Sequence, residues 1–304
     1  MNKVPYTKLS LAVQDQVNLL KNRGLHIPDE IRAARYLQNI SYYRLSGYMY
    51  PFLSDPKNHL YKAGASFEDV LDLYRFDREF RILVFSAIEK IEIALRTQTV
   101  NQFSIALKDP FWYTDAKYFY DPVKHTAFLN NLSVNASRSN YIFIRHFFDT
   151  YTDPFPPIWI IFEILSMGQF SILYSNSKKS PPRKAVADYF GLKETVFTTW
   201  LHTLVYVRNI CAHHVRLWNK DLRIKVKLPI KTTNRWLSNS NVANNKVYTV
   251  LAIIIYMLDT ITPHNTFRQK VKDLLMKYPN TNINAMGFPK DWESDSFWGF
   301  SSLL

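Results

Sequence analysis

The sequence predicts a mainly α-helical protein with little β structure, and three observations carry that expectation. Glycine is scarce, 7 in 304 residues, whereas doubly wound and barrel folds use it at their turns and phosphate loops. Apolar residues follow a helical period over a long stretch: Val70, Leu73, Phe76, Phe80, Leu83, Ile88, Ile91 and Leu95 recur at three, four or five positions. Hydrophobic residues make up 47% of the chain and aromatics 15%, enough to bury a core built on large rings.

The elements follow in order. Residues 1–60 read as an N-terminal helical region, and 61–304 as a larger helical domain with an ordered C-terminal tail. In the first region, Leu9 to Asn22 forms a helix ended by Gly24, and Pro28 to Ile40 forms another with proline at an early helical position. The aromatic segment "SYYRLSGYMYPF" (41–52) follows, punctuated by Gly47 and Pro51. Ser66 with Asp69 three residues on resembles a capping box that opens a long helix to about Leu107. After the loop "KDPFWYTD", helices resume around Val123–Asn135 and Tyr141–Tyr151, and the prolines of "TDPFPPIW" then break the chain. Ile158 to Tyr174 reads as one buried helix, "SNSKKSPPRK" (175–184) as a basic loop, and Glu194 through the segment 208–219 as a further long helix. "KDLRIKVKLP" (220–229) alternates basic and apolar residues, as an extended strip or one short hairpin edge would. Helices over 241–261 and 263–277 precede the tail "NAMGFPKDWESDSFWGF".

Formal net charge is +13. Such a charge attracts polyanions: nucleic acid first, an anionic membrane surface second. A single cysteine excludes an internal disulfide framework and a multi-cysteine zinc site, and it fits a reducing compartment. The first sixteen residues hold no apolar stretch of signal-peptide length. The most apolar runs, 157–170 and 247–258, read as buried helices: one carries Glu163 and Gln169, and the other falls short of the ~20 residues a bilayer requires. A cytoplasmic protein with no membrane partner is expected. There is no Gly-rich phosphate loop and no His-Glu-x-x-His pattern, so neither a nucleotide cofactor nor a metal is expected.

The densest chemistry lies at 208–219, "RNICAHHVRLWN". On a helix Asn209 and His213 share a face, and the long Arg208 side chain can reach round to the same cleft. Arginine clamps phosphate oxygens with a permanent charge. Histidine exchanges protons near neutral pH. An amide can orient the imidazole or bind a ribose. That set suffices for metal-free RNA cleavage, in which the ribose 2′-OH attacks the neighbouring phosphate. Spacing alone serves a polar seam between helices equally well. Cys211 reads as a small apolar residue.

Several stretches together resemble one family. "WLHTLVYVRNICAHHVRLWN" (200–219) resembles the signature of the Abi-like family of bacterial abortive-infection proteins. "ISYYRLSGYMYPF" (40–52), "PPIWIIFEILSMGQFSILY" (156–174) and "MGFPKDWESDSFW" (286–298) resemble it in the same order. The resemblance implies a HEPN-type helical bundle, whose hallmark is Arg, a polar residue, three variable positions and His. Arg208, Asn209 and His213 fill those places. It also implies RNA cleavage in anti-phage defence or toxin action, and, since some members resemble toxins restrained by a small RNA, a bound RNA partner. Such sites pair two motifs across a cleft, yet only the Arg208 window here has His at a matching distance; Arg96 is followed five positions on by Asn101. A homodimer with a composite site is therefore expected.

Around this centre, His214 and Glu163 are expected as supporting residues, His214 as a cleft-lining or helix-end histidine. Glu163, if buried, needs a partner such as Arg208. Lys178, Lys179, Arg183, Lys184, Arg216, Arg223, Lys225 and Lys227 are expected to track RNA phosphates, whereas Tyr42, Tyr43 and Arg44 read as core residues first and as base-stacking ones second. The alternative to a nuclease is a non-catalytic protein holding a guide or antitoxin RNA. A DNA-binding regulator built on residues 1–60 ranks third, because those helices carry no recognition pattern.

Overall fold

The computed structural model describes residues 5–7, 9–239 and 241–299. Residues 300–304, the end of the expected ordered tail, and residues 1–4 and 8 of the leader lie outside the described residues. Among the described residues the fold is mainly α, with twelve α-helices and one two-stranded hairpin. The chain divides into two compact units: Met1–Phe80 with Asp273–Thr281, and Arg81–Lys272 with Asn282–Leu304. The expected boundary after residue 60 lies inside the first unit, and the division falls within a continuous helix.

The first unit holds α1 (Val13–Asn22), α2 (Glu30–Ile40) and α3 (Tyr42–Met49). Pro28 stands outside α2; the true cap is Asp29, whose carboxylate accepts from the Arg32 N–H at 2.9 Å. Ser41 (φ 73°) separates α2 from α3, and its hydroxyl accepts from the Arg44 N–H. A hairpin of β1 (Leu53–Asp55) and β2 (Leu60–Tyr61) stands where only helices were expected. Asp55 makes its turn by accepting from the Lys57 and Asn58 N–H groups. The 41-residue α4 (Phe67–Leu107) then begins at the expected box, in which Ser66 and Asp69 cap each other. Residues 273–281 join this unit through Glu79, which takes hydrogen bonds from Lys277 and the Tyr278 hydroxyl at 2.8 Å.

The second unit holds the remainder of α4, then α5 (Pro122–Ser137), α6 (Ile142–Thr150), α7 (Ile158–Ile164), α8 (Met167–Asn176), α9 (Pro181–Tyr189), α10 (Glu194–Ala212), α11 (Val247–Ile261) and α12 (Phe267–Lys277), the last of which crosses into the first. The single helix expected over Ile158–Tyr174 is two. Ser166 starts α8 with a full capping box to Gln169, and this breaks the helix after Ile164. The segment 181–184, expected as loop, is the first turn of α9, where two prolines suit the positions that need no amide donor. Core packing centres on α11, buried from Val247 through Leu258. In the tail Trp292, Phe297 and Trp298 are buried, and the Trp298 indole N–H donates to the Tyr248 hydroxyl at 3.0 Å. No helix among the described residues is long and apolar enough to cross a membrane.

Candidate functional site

The candidate site is the C-terminal end of α10. Its buried residues fall in pairs three or four apart, Val196–Phe197, Trp200–Leu201, Thr203–Leu204, then Val207 and Ile210–Cys211, which fixes one face in the core. Trp200 anchors that face. Its ring packs on Trp236 and Tyr256, and its indole N–H donates to the Lys227 carbonyl at 3.0 Å. Burial of Cys211 on the same face accounts for it as a packing residue.

The helix stops in a Schellman geometry. The Val215 N–H donates to the Ile210 carbonyl at 2.9 Å and the His214 N–H to the Cys211 carbonyl at 3.1 Å. His213 is the C-cap, and His214 adopts the left-handed conformation, φ 56°. Both histidines are exposed. His214 is thus part of the helix stop, the place where glycine is commonest.

Arg208 is half-buried. Its guanidinium lies over the Phe85 ring of α4, 5.7 Å from the centroid, and its Nη1 makes a long 3.4 Å contact to the Asn209 Oδ1. Its Nε is buried with no hydrogen-bond partner among the described residues. Arg208 and Asn209 therefore meet, whereas His213 is tied to them through backbone only, its N–H donating to the Asn209 carbonyl at 2.9 Å. Sequence reasoning missed Phe85; its signal was an aromatic ring off the apolar stripe of a long helix.

Two expectations are corrected. Glu163 is exposed and forms no ion pair among the described residues; water solvates its charge, so it needs no arginine. The polar group that does hold this region is Arg96. Its guanidinium donates to the Phe162 and Leu165 carbonyls and pairs with Glu92, which satisfies the orphan carbonyls at the end of α7. Arg183 is the second correction. Only 8% exposed, it donates to the Ser177 carbonyl, lies 3.7 Å from Glu194 and stacks on Tyr174, so it is a structural cation.

The other basic residues are displayed. Lys178 and Lys179 are exposed on a loop whose backbone N–H groups are held by the Tyr118 carbonyl and the Tyr120 hydroxyl. Lys184 is exposed and pairs with Asp188 at 2.5 Å. The segment 221–230 is irregular, with bends at 223, 224 and 230 and no strand pairing; Leu222 and Val226 are buried and Arg223, Lys225 and Lys227 exposed. Arg216 is half-buried. In the first unit Tyr43 is 90% exposed, while the Tyr42 hydroxyl accepts from Arg23. His202, on α10, pairs with the Ser175 hydroxyl at 2.8 Å, and desolvation holds it below the ordinary histidine value. Among the described residues no three His, Cys, Asp or Glu side chains gather as a metal site would require.

A family model described as "Abi-like protein" matches residues 35–219, more than half of the chain, and its match ends with the site just described. The chain belongs to the Abi-like protein family. No curated protein and no solved structure matches it.

Proposed function

We propose that this Abi-like protein is a metal-independent endoribonuclease of bacterial abortive-infection defence, with a HEPN-type site. The observation that carries the reading is the end of α10, where the Arg208 side chain meets Asn209 and His213 caps the helix one turn on, exposed to solvent. Arg208 is half-buried, and its guanidinium Nη groups, not the buried Nε, would meet a phosphate oxygen.

In the proposed reaction one motif histidine takes the proton of the ribose 2′-OH. The oxygen attacks phosphorus, a new P–O2′ bond forms and the P–O5′ bond breaks. A proton passes to the leaving 5′-oxygen, and the products are a 2′,3′-cyclic phosphate and a 5′-hydroxyl. Arg208 neutralises the pentavalent state, and Asn209 orients the ribose or the imidazole. His213 is the sole histidine of its motif aligned with Asn209, so acid and base together call for two copies, which motivates a homodimer. Lys178, Lys179, Lys184 and the strip 223–227 supply the basic surface that draws RNA in.

Incubation of the protein with single-stranded and tRNA-like RNAs in EDTA tests this. Cleavage by wild type and its loss in His213→Ala and Arg208→Ala is the expected result. Binding by all three without cleavage favours a protein that holds a guide or antitoxin RNA.

A further inference from the structure

At the corner between α5 and α6 lies a groove of about 450 Å³, lined by Asn135, Arg138, Ser139, Asn140, Tyr141 and Ile164. Its polar lining is amides, a hydroxyl, a guanidinium and a phenol, with no carboxylate among the six. The helix beside it is poorly covered: α6 buries only Ile144 and Phe147, and Ile142 is 85% exposed. Tyr141 is 59% exposed and lies stacked on Phe143, centroids 5.3 Å apart and planes 14° apart. The Arg145 guanidinium donates to the Asn140 Oδ1, which orients that amide with its N–H donors turned away from Arg145. The Arg138 side chain makes no hydrogen bond or ion pair among the described residues.

The groove has a fixed relation to the proposed catalytic motif. Phe85, beneath Arg208, and Arg96, which grips the Phe162 and Leu165 carbonyls on either side of Ile164, lie on one face of α4. Eleven residues separate them, three turns or roughly 16 Å of helix. Ile164 thus lies between two carbonyls held by Arg96, three turns along α4 from the Phe85 ring that backs Arg208.

We propose that the groove walled by Arg138, Asn140 and Tyr141 is a nucleobase-binding site for single-stranded RNA, which reads a base a few nucleotides from the phosphate held at Arg208. The assignment rests on the ribonuclease reading for its scissile phosphate and on the groove's own chemistry for its ligand. An exposed ring already backed by a second ring is a stacking platform for any base. Amide groups offer both donors and acceptors to a Watson–Crick edge. Arg138 supplies the charge for the adjoining phosphate, and the +13 surface supplies the long-range attraction. An acidic protein partner would match the arginine but leave the amide wall and the stacked rings unexplained.

The test uses the full-length His213→Ala protein, so that RNA stays intact, with labelled twelve-nucleotide homopolymers read by fluorescence anisotropy over a salt series. Tyr141→Ala is expected to weaken binding about tenfold and to flatten the preference among bases. Tyr141→Phe, which keeps the ring, is expected to bind as before. Arg138→Ala is expected to lower the salt slope by about one. Unchanged affinity and base preference in Tyr141→Ala would overturn the site. So would a change in self-association alone, which would mark the rings as a contact between copies. The same substitutions in the otherwise wild-type protein separate the two proposals. A shifted or lost cut site in Tyr141→Ala supports the groove, and an unaltered cut pattern at unaltered affinity refutes it while leaving cleavage intact. Tyr141-dependent binding by a protein that cuts nothing would uphold the groove and sink the nuclease.

Discussion

Helices α1 and α10 end in the same backbone geometry and place opposite kinds of residue at its left-handed position. After α1 that residue is Gly24, φ 89°, with the Leu25 N–H on the Leu20 carbonyl at 3.1 Å and its own N–H on the Lys21 carbonyl at 2.9 Å. After α10 it is His214, φ 56°, with the equivalent bonds at 2.9 and 3.1 Å. A Cβ at Gly24 would meet no atom within 4 Å, so glycine there serves the backbone alone. At α10 a side chain is kept where glycine would relieve strain of about 1 kcal/mol, directly beside His213. Glycine meets this backbone geometry freely and His214 meets it at a cost, as Ser41 does after α2 and Lys108 after α4.

The largest effects should fall on the chemical side of this comparison. His213→Ala and Arg208→Ala are each expected to lower RNA cleavage by about a hundredfold or more, with the far-ultraviolet circular dichroism unchanged because both residues lie at the helix end. Mixing wild type with excess His213→Ala sharpens the point. After subunit exchange, activity should fall with the square of the wild-type fraction if two motifs build one site, and linearly if each chain acts alone.

Smaller effects separate the two helix ends by stability. Gly24→Ala should cost about 1 kcal/mol in urea unfolding, through backbone strain alone. His214→Gly should relieve backbone strain of roughly 0.5 to 1 kcal/mol; a net loss of stability or of cleavage would show that the His214 ring, and not only its backbone, matters. The smallest effect is a pH dependence. His202 is held below its ordinary value by desolvation, so the unfolded chain takes up that proton first. Its contribution to stability is whole above about pH 6.5 and erodes as pH falls below it. His202→Gln should flatten that part of the stability curve.

What could be read from the sequence follows the reach of local rules. The start and end of α4 were legible because Ser66 and Asp69 satisfy each other three residues apart and the apolar period persists to Leu107. The start of α10 at Glu194 was legible too, but its stop at Ala212 inside the segment 208–219, where a continuing helix was expected, was not, because histidine rather than glycine takes the left-handed position. Residues that depend on distant partners were not. Arg183 looks like part of a basic loop, and only the fold supplies the Ser177 carbonyl and Tyr174 ring that bury it. Glu163 looks buried by its apolar neighbours, yet it lies on the outward face of the seven-residue α7. The break between α7 and α8 was written locally, as Ser166 and Gln169, and was masked by the apolar run around it. The groove at Tyr141 joins residues 135–141 to Ile164, a meeting no periodicity announces.

The central claim is that Arg208, Asn209 and His213 cut RNA by activating its own 2′-hydroxyl. The most direct measurement takes an RNA that the wild-type protein cleaves, replaces the nucleotide 5′ to the cut by its 2′-deoxy form, and analyses the product ends with EDTA present. The account predicts cyclic-phosphate or 3′-phosphate ends from the ribose substrate, and no cut at that position from the deoxy substrate or with His213→Ala. Cleavage of the deoxy substrate, or undiminished cleavage by His213→Ala, would contradict it.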